Sequence, residues 1–170
     1  MMRSLLYRIS GRLPCRIISE DGRPYLERYY VCTLFGLRVY LHRFVGSDPN
    51  WGTHDHPWPW AFSVVLSGWY VEELRGGVVS PILGRTPYRF RAVRRFNFLT
   101  GDTFHRVILP HGRRDTWTLF AHRAKVVKTW GFWHACEVGA IWIPYRHQTG
   151  DREWWKEVPL GRDEERRMPL

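Results

Sequence analysis

An all-β fold, either a sandwich or a rolled barrel, is what this sequence predicts, and three observations lead there. Runs of four to eight residues rich in β-branched and aromatic side chains recur about every eight to twelve residues between positions 29 and 130. Eleven prolines and fifteen glycines punctuate those runs as turns. No apolar stripe of helical period and length interrupts the middle of the chain. At 170 residues the chain is one domain by length, long enough to bury about 70% of the surface its unfolded form exposes. Ten Trp, eight Tyr and nine Phe supply an unusually aromatic interior.

The elements follow in order. Residues 1–22 form an N-terminal arm in which Leu5, Leu6, Ile9 and Leu13 have the spacing of a short helix, ending at Gly11 or before Pro14 and packing on the domain. Asp21-Gly22 is a tight turn. Residues 29–35 and 37–44 read as two strands joined near Gly36. In the second, Leu37, Val39 and Leu41 alternate with Arg38, Tyr40 and His42, and the aliphatic face is expected to line the core, which places Arg38 and His42 outside. A polar turn at 46–50 leads to Gly52-Thr53-His54-Asp55-His56-Pro57-Trp58. Pro57 and Pro59 then break the ladder before a strand at 62–66. After Ser67-Gly68, residues 69–74 alternate Trp69, Val71 and Glu73 on one face with Tyr70 and Glu72 on the other. The segment from Arg75 to Arg95, with Gly76-Gly77, Pro81, Gly84, Pro87, Arg85 and Arg89, reads as a long hairpin or loop near the barrel mouth.

Residues 96–99 form a short strand and Gly101-Asp102 a turn. Residues 105–109 are the next strand, followed by a turn at 110–115. Residues 116–122 and 125–130 read as the last hairpin. Trp130, Phe132, Trp133, Trp142 and Tyr145 are expected to cap the core, and residues 148–170 to end the chain as a charged tail, a short helix or frayed. The barrel itself is assigned to residues 23–147.

In a strand, side chains alternate, so His54 and His56 project to one side and Asp55 to the other. His105 on a later strand offers a third imidazole. Three such nitrogens bind a divalent first-row metal and leave coordination positions open.

At these residues the chain resembles the cupins, a family of small double-stranded β-helix, or jelly-roll, proteins. His54, His56 and Gly68 fall into the family's first motif, Gly101 and His105 into its second. The family's Glu would stand near Trp60 or Ala61, neither of which ligates metal. Three residues separate Gly101 from His105 where two are usual. Trp130-Gly131-Phe132 and the aromatics after it resemble an uncharacterised cupin-like branch. The resemblance implies a cupin-type jelly-roll barrel holding one divalent metal ion at His54, His56 and His105. Fe(II) is favoured, with Zn, Ni, Mn or Cu as alternatives. Glu73 or Glu72 could replace the absent carboxylate if its strand swings it inward; His111 is a candidate further ligand or mouth residue, but its place between Pro110 and Gly112 favours an exposed turn.

Three-imidazole sites suit oxygenases whose organic substrate chelates the metal, so the expected activity is a dioxygenase acting on a small anionic substrate, with Tyr70 and Arg106 contacting it. His56 occupies the position of the carboxylate ligand in 2-oxoglutarate oxygenases, which argues against that class. In such an enzyme Arg113 or Arg114 would hold the co-substrate. The alternatives are a non-catalytic jelly roll that binds a small molecule or nucleic acid, and an isomerase or epimerase using a His base and a Tyr acid.

A net charge of +10 and a pI near 10.1 favour anionic partners. The excess is dispersed in pairs, Arg94-Arg95, Arg113-Arg114 and Arg166-Arg167, as on solvated faces and not as in a nucleic-acid patch. Cys15, Cys32 and Cys136 form no disulfide framework, which implies a reducing compartment. Leu5-Leu6-Tyr7 is too short an apolar run for a signal peptide, and nothing reaches membrane-spanning length, so a cytoplasmic protein is expected. Open sheet edges make a homodimer an expected assembly.

Overall fold

Two six-stranded antiparallel sheets face one another in the computed structural model, which describes residues 1–76, 88–112, 115–136, 139–145 and 153–170. After helix α1 (Met2–Ser10) come β1 (Cys15–Glu20), β2 (Arg23–Leu34), β3 (Leu37–Phe44), β4 (Gly52–His54), β5 (Trp60–Ser67) and β6 (Tyr70–Arg75). They are followed by β7 (Tyr88–Val93), β8 (Phe96–Thr100), β9 (His105–Ile108), β10 (Thr116–Arg123), β11 (Gly131–Cys136) and β12 (Gly139–Pro144). The first sheet has the order β1-β2-β3-β10-β5-β8 and the second β12-β11-β4-β9-β6-β7. From β3 to β11 the chain changes sheet at every connection except that from β6 to β7. This wrapping makes the fold a cupin-type jelly roll, as expected.

The alternation in β3 is present, but its sense is the reverse of the sequence expectation. Arg38, Tyr40 and His42 face the space between the sheets, where they line a cavity of about 240 Å³. Leu41 faces away from it, into a second core with Tyr29, Trp117, Cys15, Ile17 and Leu6. The reason is a covering layer. Helix α1 and the last residues of the tail lie on part of the outer face of the first sheet, where Tyr29 of β2, Leu41 of β3 and Trp117 of β10 are buried. The inner face is thereby left to polar and aromatic side chains. Burial pushes the Cys15 thiol up to about 12, which keeps it protonated as a packing group.

A buried ionic cluster ties that cap to the sheet. Arg43 is 2% exposed, and its Nε donates to Asp115 Oδ2 at 2.8 Å while its Nη1 reaches Glu27 Oε1 at 3.2 Å. The same guanidinium donates to the carbonyls of Met168 and Pro169 at 2.6 and 2.8 Å. Met168 N–H donates to Glu27 Oε1 at 2.8 Å. Arg167 lies over the Tyr7 ring at 3.7 Å and donates to Ser10 Oγ at 2.7 Å. The tail, expected to be frayed or helical, is therefore held down by its own backbone carbonyls. Its 3₁₀ turn at Trp154–Lys156 stacks Trp155 on Tyr30 at 4.1 Å.

One further expectation changes, and the long hairpin expected between Arg75 and Arg95 is present in its described part. Residues 125–130 are not a strand: β10 sits between β3 and β5, and the hairpin that follows is β11–β12, in the other sheet. The segment from Arg75 to Arg95 includes strand β7, paired along β6, whereas residues 77–87, with Arg85, lie outside the described residues. No described helix is long and apolar enough to cross a membrane.

Because the charges around Arg43 compensate one another away from water, removing one partner leaves the rest uncompensated. Arg43→Leu is expected to lower unfolding stability by about 3–5 kcal/mol in urea titrations, while Arg162→Gln on the exposed surface changes it by less than about 0.5 kcal/mol.

Candidate metal centre

The three histidines meet because two short strands pair directly. His54, the last residue of β4, stands opposite His105, the first residue of β9, with ring centroids 4.8 Å apart. His56 lies two residues beyond β4, where Pro57 ends the extended segment. Its backbone N–H donates to Gly101 O at 3.3 Å. The 56–59 segment and the β8–β9 turn touch so closely that a Cβ at Gly101 would come 2.3 Å from Trp58 O. Gly52 is held as tightly on the other side, where a Cβ would meet Trp133 O at 2.2 Å. Any side chain at either position would push the histidines apart.

Asp55 points away from the cluster, as the alternation requires. It is 2% exposed, and it accepts from Gly131 N–H at 2.7 Å and from Lys128 Nζ at 2.8 Å. This carboxylate pins the His54–His56 segment to the start of β11. It is a positioning residue that the His-x-His pattern contains but does not announce.

One ligand nitrogen from each of His54, His56 and His105 lies within 4.8 Å of the others. Between His56 Nε2 and His105 Nε2 the separation is 2.9 Å. On its other side, His105 Nδ1 lies 2.8 Å from Glu72 Oε1. A carboxylate there holds the imidazole proton at Nδ1 and leaves a lone pair on Nε2, directed at His56. Two imine nitrogens that close repel unless a proton or a cation stands between them, so the donor set fits a metal ion. One ion with bonds of about 2.1 Å spans at most about 4.2 Å between opposite ligands. Burial, with His105 adjacent, holds His54 and His56 well below the usual histidine range. Both are thus neutral, the form that ligates.

Glu72 and Glu73 separate cleanly. Glu72 is wholly buried and, besides His105, is met by Asn97 Nδ2 at 2.7 Å and Arg91 Nε at 2.7 Å. Burial acts to raise its pKa, but His105, Arg91 and Asn97 outweigh it and leave the carboxyl lowered, hence ionised. Glu73, the residue expected as an extra ligand, points to the opposite face. There it receives Arg106 Nη2 at 2.5 Å. The same alternation takes Arg106 away from the cavity, so neither residue of that pair reaches the histidines. His111 is exposed in a turn beyond β9 and does not line the cavity. Tyr70 does line it, buried and hydrogen-bonded to Asn97 at 3.1 Å, with burial pushing its hydroxyl up to about 12. Arg113 and Arg114 lie outside the described residues.

Aromatic rings wall the rest of the cavity. Trp58 stacks on His56 at 4.6 Å and on His122 at 3.9 Å. Phe132 and Trp130 stand 5.8 and 6.4 Å from His54, and Trp154 of the tail closes over Tyr40 at 6.0 Å. Of the aromatics expected to cap the core, Trp130, Phe132 and Tyr145 therefore line the cavity.

No family model and no curated protein matches the sequence. Among solved structures, the chain is similar to Fe(II)-HppE with the alternative substrate (S)-1-HPP, at 12% identity over 66% of this chain and 57% of that one, TM-score 0.49. It is also similar to a cupin-2 domain from Rhodospirillum rubrum, at 14% identity over 68% and 72% of the two chains, TM-score 0.46. An oxalate oxidase is similar at 15% identity over 62% and 53%, TM-score 0.43. The chain spans little more than half the length of the first of these. At these identities the likeness is one of fold alone. Fold and side chains together define a cupin-type jelly roll with a three-histidine cluster able to hold a metal ion.

If Glu72 fixes the proton of His105, Glu72→Gln weakens metal binding by about 10–100-fold in a chelator competition, whereas Glu73→Gln leaves it unchanged. Equal affinities for Glu72→Gln and the parent chain would refute this role.

Proposed function

We propose that this protein is a mononuclear non-haem metal oxygenase, with Fe(II) as the working ion, acting on a small anionic substrate that itself coordinates the metal. The observation that carries the reading is the convergence of three imidazoles, one of them backed by a buried carboxylate, with no carboxylate among the three converging side chains. Such a donor set leaves the ion its full positive charge and open positions. A metal held by His54, His56 and His105 would supply the redox chemistry for such a substrate.

The chain's own residues provide the rest. His54, His56 and His105 hold the ion, and Glu72 keeps the proton of His105 on the nitrogen that faces away from it. Trp58, Phe120, Phe132 and Trp130 restrict water around the reacting atoms, which strengthens each electrostatic contact inside. Tyr70 keeps its proton near neutral pH and offers a hydroxyl at the cavity wall.

Elemental analysis after purification without added metal is the first test, followed by reconstitution with Fe(II), Mn(II), Ni(II) and Zn(II). About one ion per chain is expected, lost in the His54→Ala, His56→Ala double variant, together with O2 uptake in the presence of a thiol- or catechol-bearing acid. A parent chain that takes up none of the four ions would contradict the reading and leave a binding module.

A further inference from the structure

One row of residues crosses the inner face of the first sheet: Arg16 on β1, Arg28 on β2, His42 on β3 and Thr118 on β10, each paired directly with the next. All four line the cavity. Arg16 lies at the exposed rim, while Arg28 reaches inward. Arg28 Nε donates to His42 Nε2 at 3.1 Å, and its guanidinium stands over the Tyr40 ring at 5.5 Å.

What distinguishes Arg28 is its company. Arg43 is paired with Glu27 and Asp115, Arg91 with Glu72, Arg106 with Glu73, and Lys128 with Asp55 and Asp102. Among the described residues Arg28 has no carboxylate at ion-pair distance, and its side-chain hydrogen bond goes to a histidine that burial holds uncharged. Burial, and Arg16 nearby, pull its own pKa down. Arg28 is half-buried, and a guanidinium partly withdrawn from water without a counter-charge is costly. Its Nε is engaged by His42, which leaves the two terminal nitrogens as a fork of the kind that receives two oxygens of one oxyanion.

We infer that Arg28 is the floor of an oxyanion subsite, which holds the carboxylate or phosphonate of a small acid whose body lies along the aromatic wall formed by Tyr40, Phe120 and Trp154. The inference rests on the metal-enzyme reading only for what the other end of that acid meets, namely the three histidines. It also relocates the substrate contact from Arg106, which the Glu73 pair occupies on the outer face, to an arginine on the opposite sheet.

The test uses the full chain stripped of metal and three probes of similar shape: benzoate, phenylphosphonate and the neutral benzamide, titrated by calorimetry. At least one anion is expected to bind about tenfold or more tightly than benzamide. The preferred anion identifies the carboxylate or the phosphonate as the natural group. Arg28→Gln is expected to lose that preference, whereas Arg106→Gln keeps it. Benzamide binding as well as either anion, no binding by any probe, or an Arg28→Gln variant with the parent's preference would each overturn the proposal. Should Arg28→Gln fail to unfold cooperatively, the preference of the parent chain for anion over amide decides alone. Metal uptake is measured in parallel on the same proteins. Its absence would remove the oxygenase reading without touching the anion result, and a metal-binding protein indifferent to charge would do the reverse.

Discussion

Everything at the site depends on a single cross-strand pair, His54 opposite His105, between strands of three and four residues. Directly opposed residues on neighbouring strands have Cβ atoms about 4.5–5.5 Å apart, so the pairing alone brings two imidazoles within reach of each other. The third comes from a segment that leaves β4 at Pro57 and is pressed onto Gly101, the residue that turns the chain toward His105. Small residues at Gly52 and Gly101, and the buried Asp55 behind the loop, turn a loose His-x-His into a fixed donor set. The cost of that fixity is met in the surrounding backbone contacts, so the three rings are preorganised before any ligand arrives.

The jelly roll separates two electrostatic environments on either side of its first sheet. On the outer face, Glu27 and Asp115 are balanced by Arg43 and by Arg3 of α1 under a lid formed by α1 and the tail. Their role is to fasten both ends of the chain to the barrel. On the inner face the cations and imidazoles are left with few acids, and Glu72 lies behind His105 on the opposing sheet. An interior that is positive and aromatic favours an anion with an apolar body, whatever reaction follows.

The sequence displayed the fold through its turns and alternation, and it displayed the histidine cluster through the spacing of His54, His56 and His105. It did not display which face of β3 looks inward. Alternation fixes that Arg38, Tyr40 and His42 share a side, but the side itself depends on α1 and the tail covering the other, a long-range contact that no local pattern encodes. The same one-residue parity separates Glu72 from Glu73. Tyr70 and Glu72 were visible as one face, yet only the pairing of β6 with β9 shows that this face meets His105. Arg28 was the least legible. Its meaning lies in the carboxylate that does not accompany it, and that becomes apparent only once Arg43, Arg91, Arg106 and Lys128 have been matched to theirs.

X-ray absorption at the metal edge of the reconstituted protein tests the central claim most directly. The account predicts a first shell of nitrogen and oxygen scatterers about 2.0–2.2 Å from the ion, with the outer-shell pattern of three imidazole rings and no sulfur. A shell with one imidazole or none, or with a thiolate in it, would contradict the convergence of His54, His56 and His105 on a single cation.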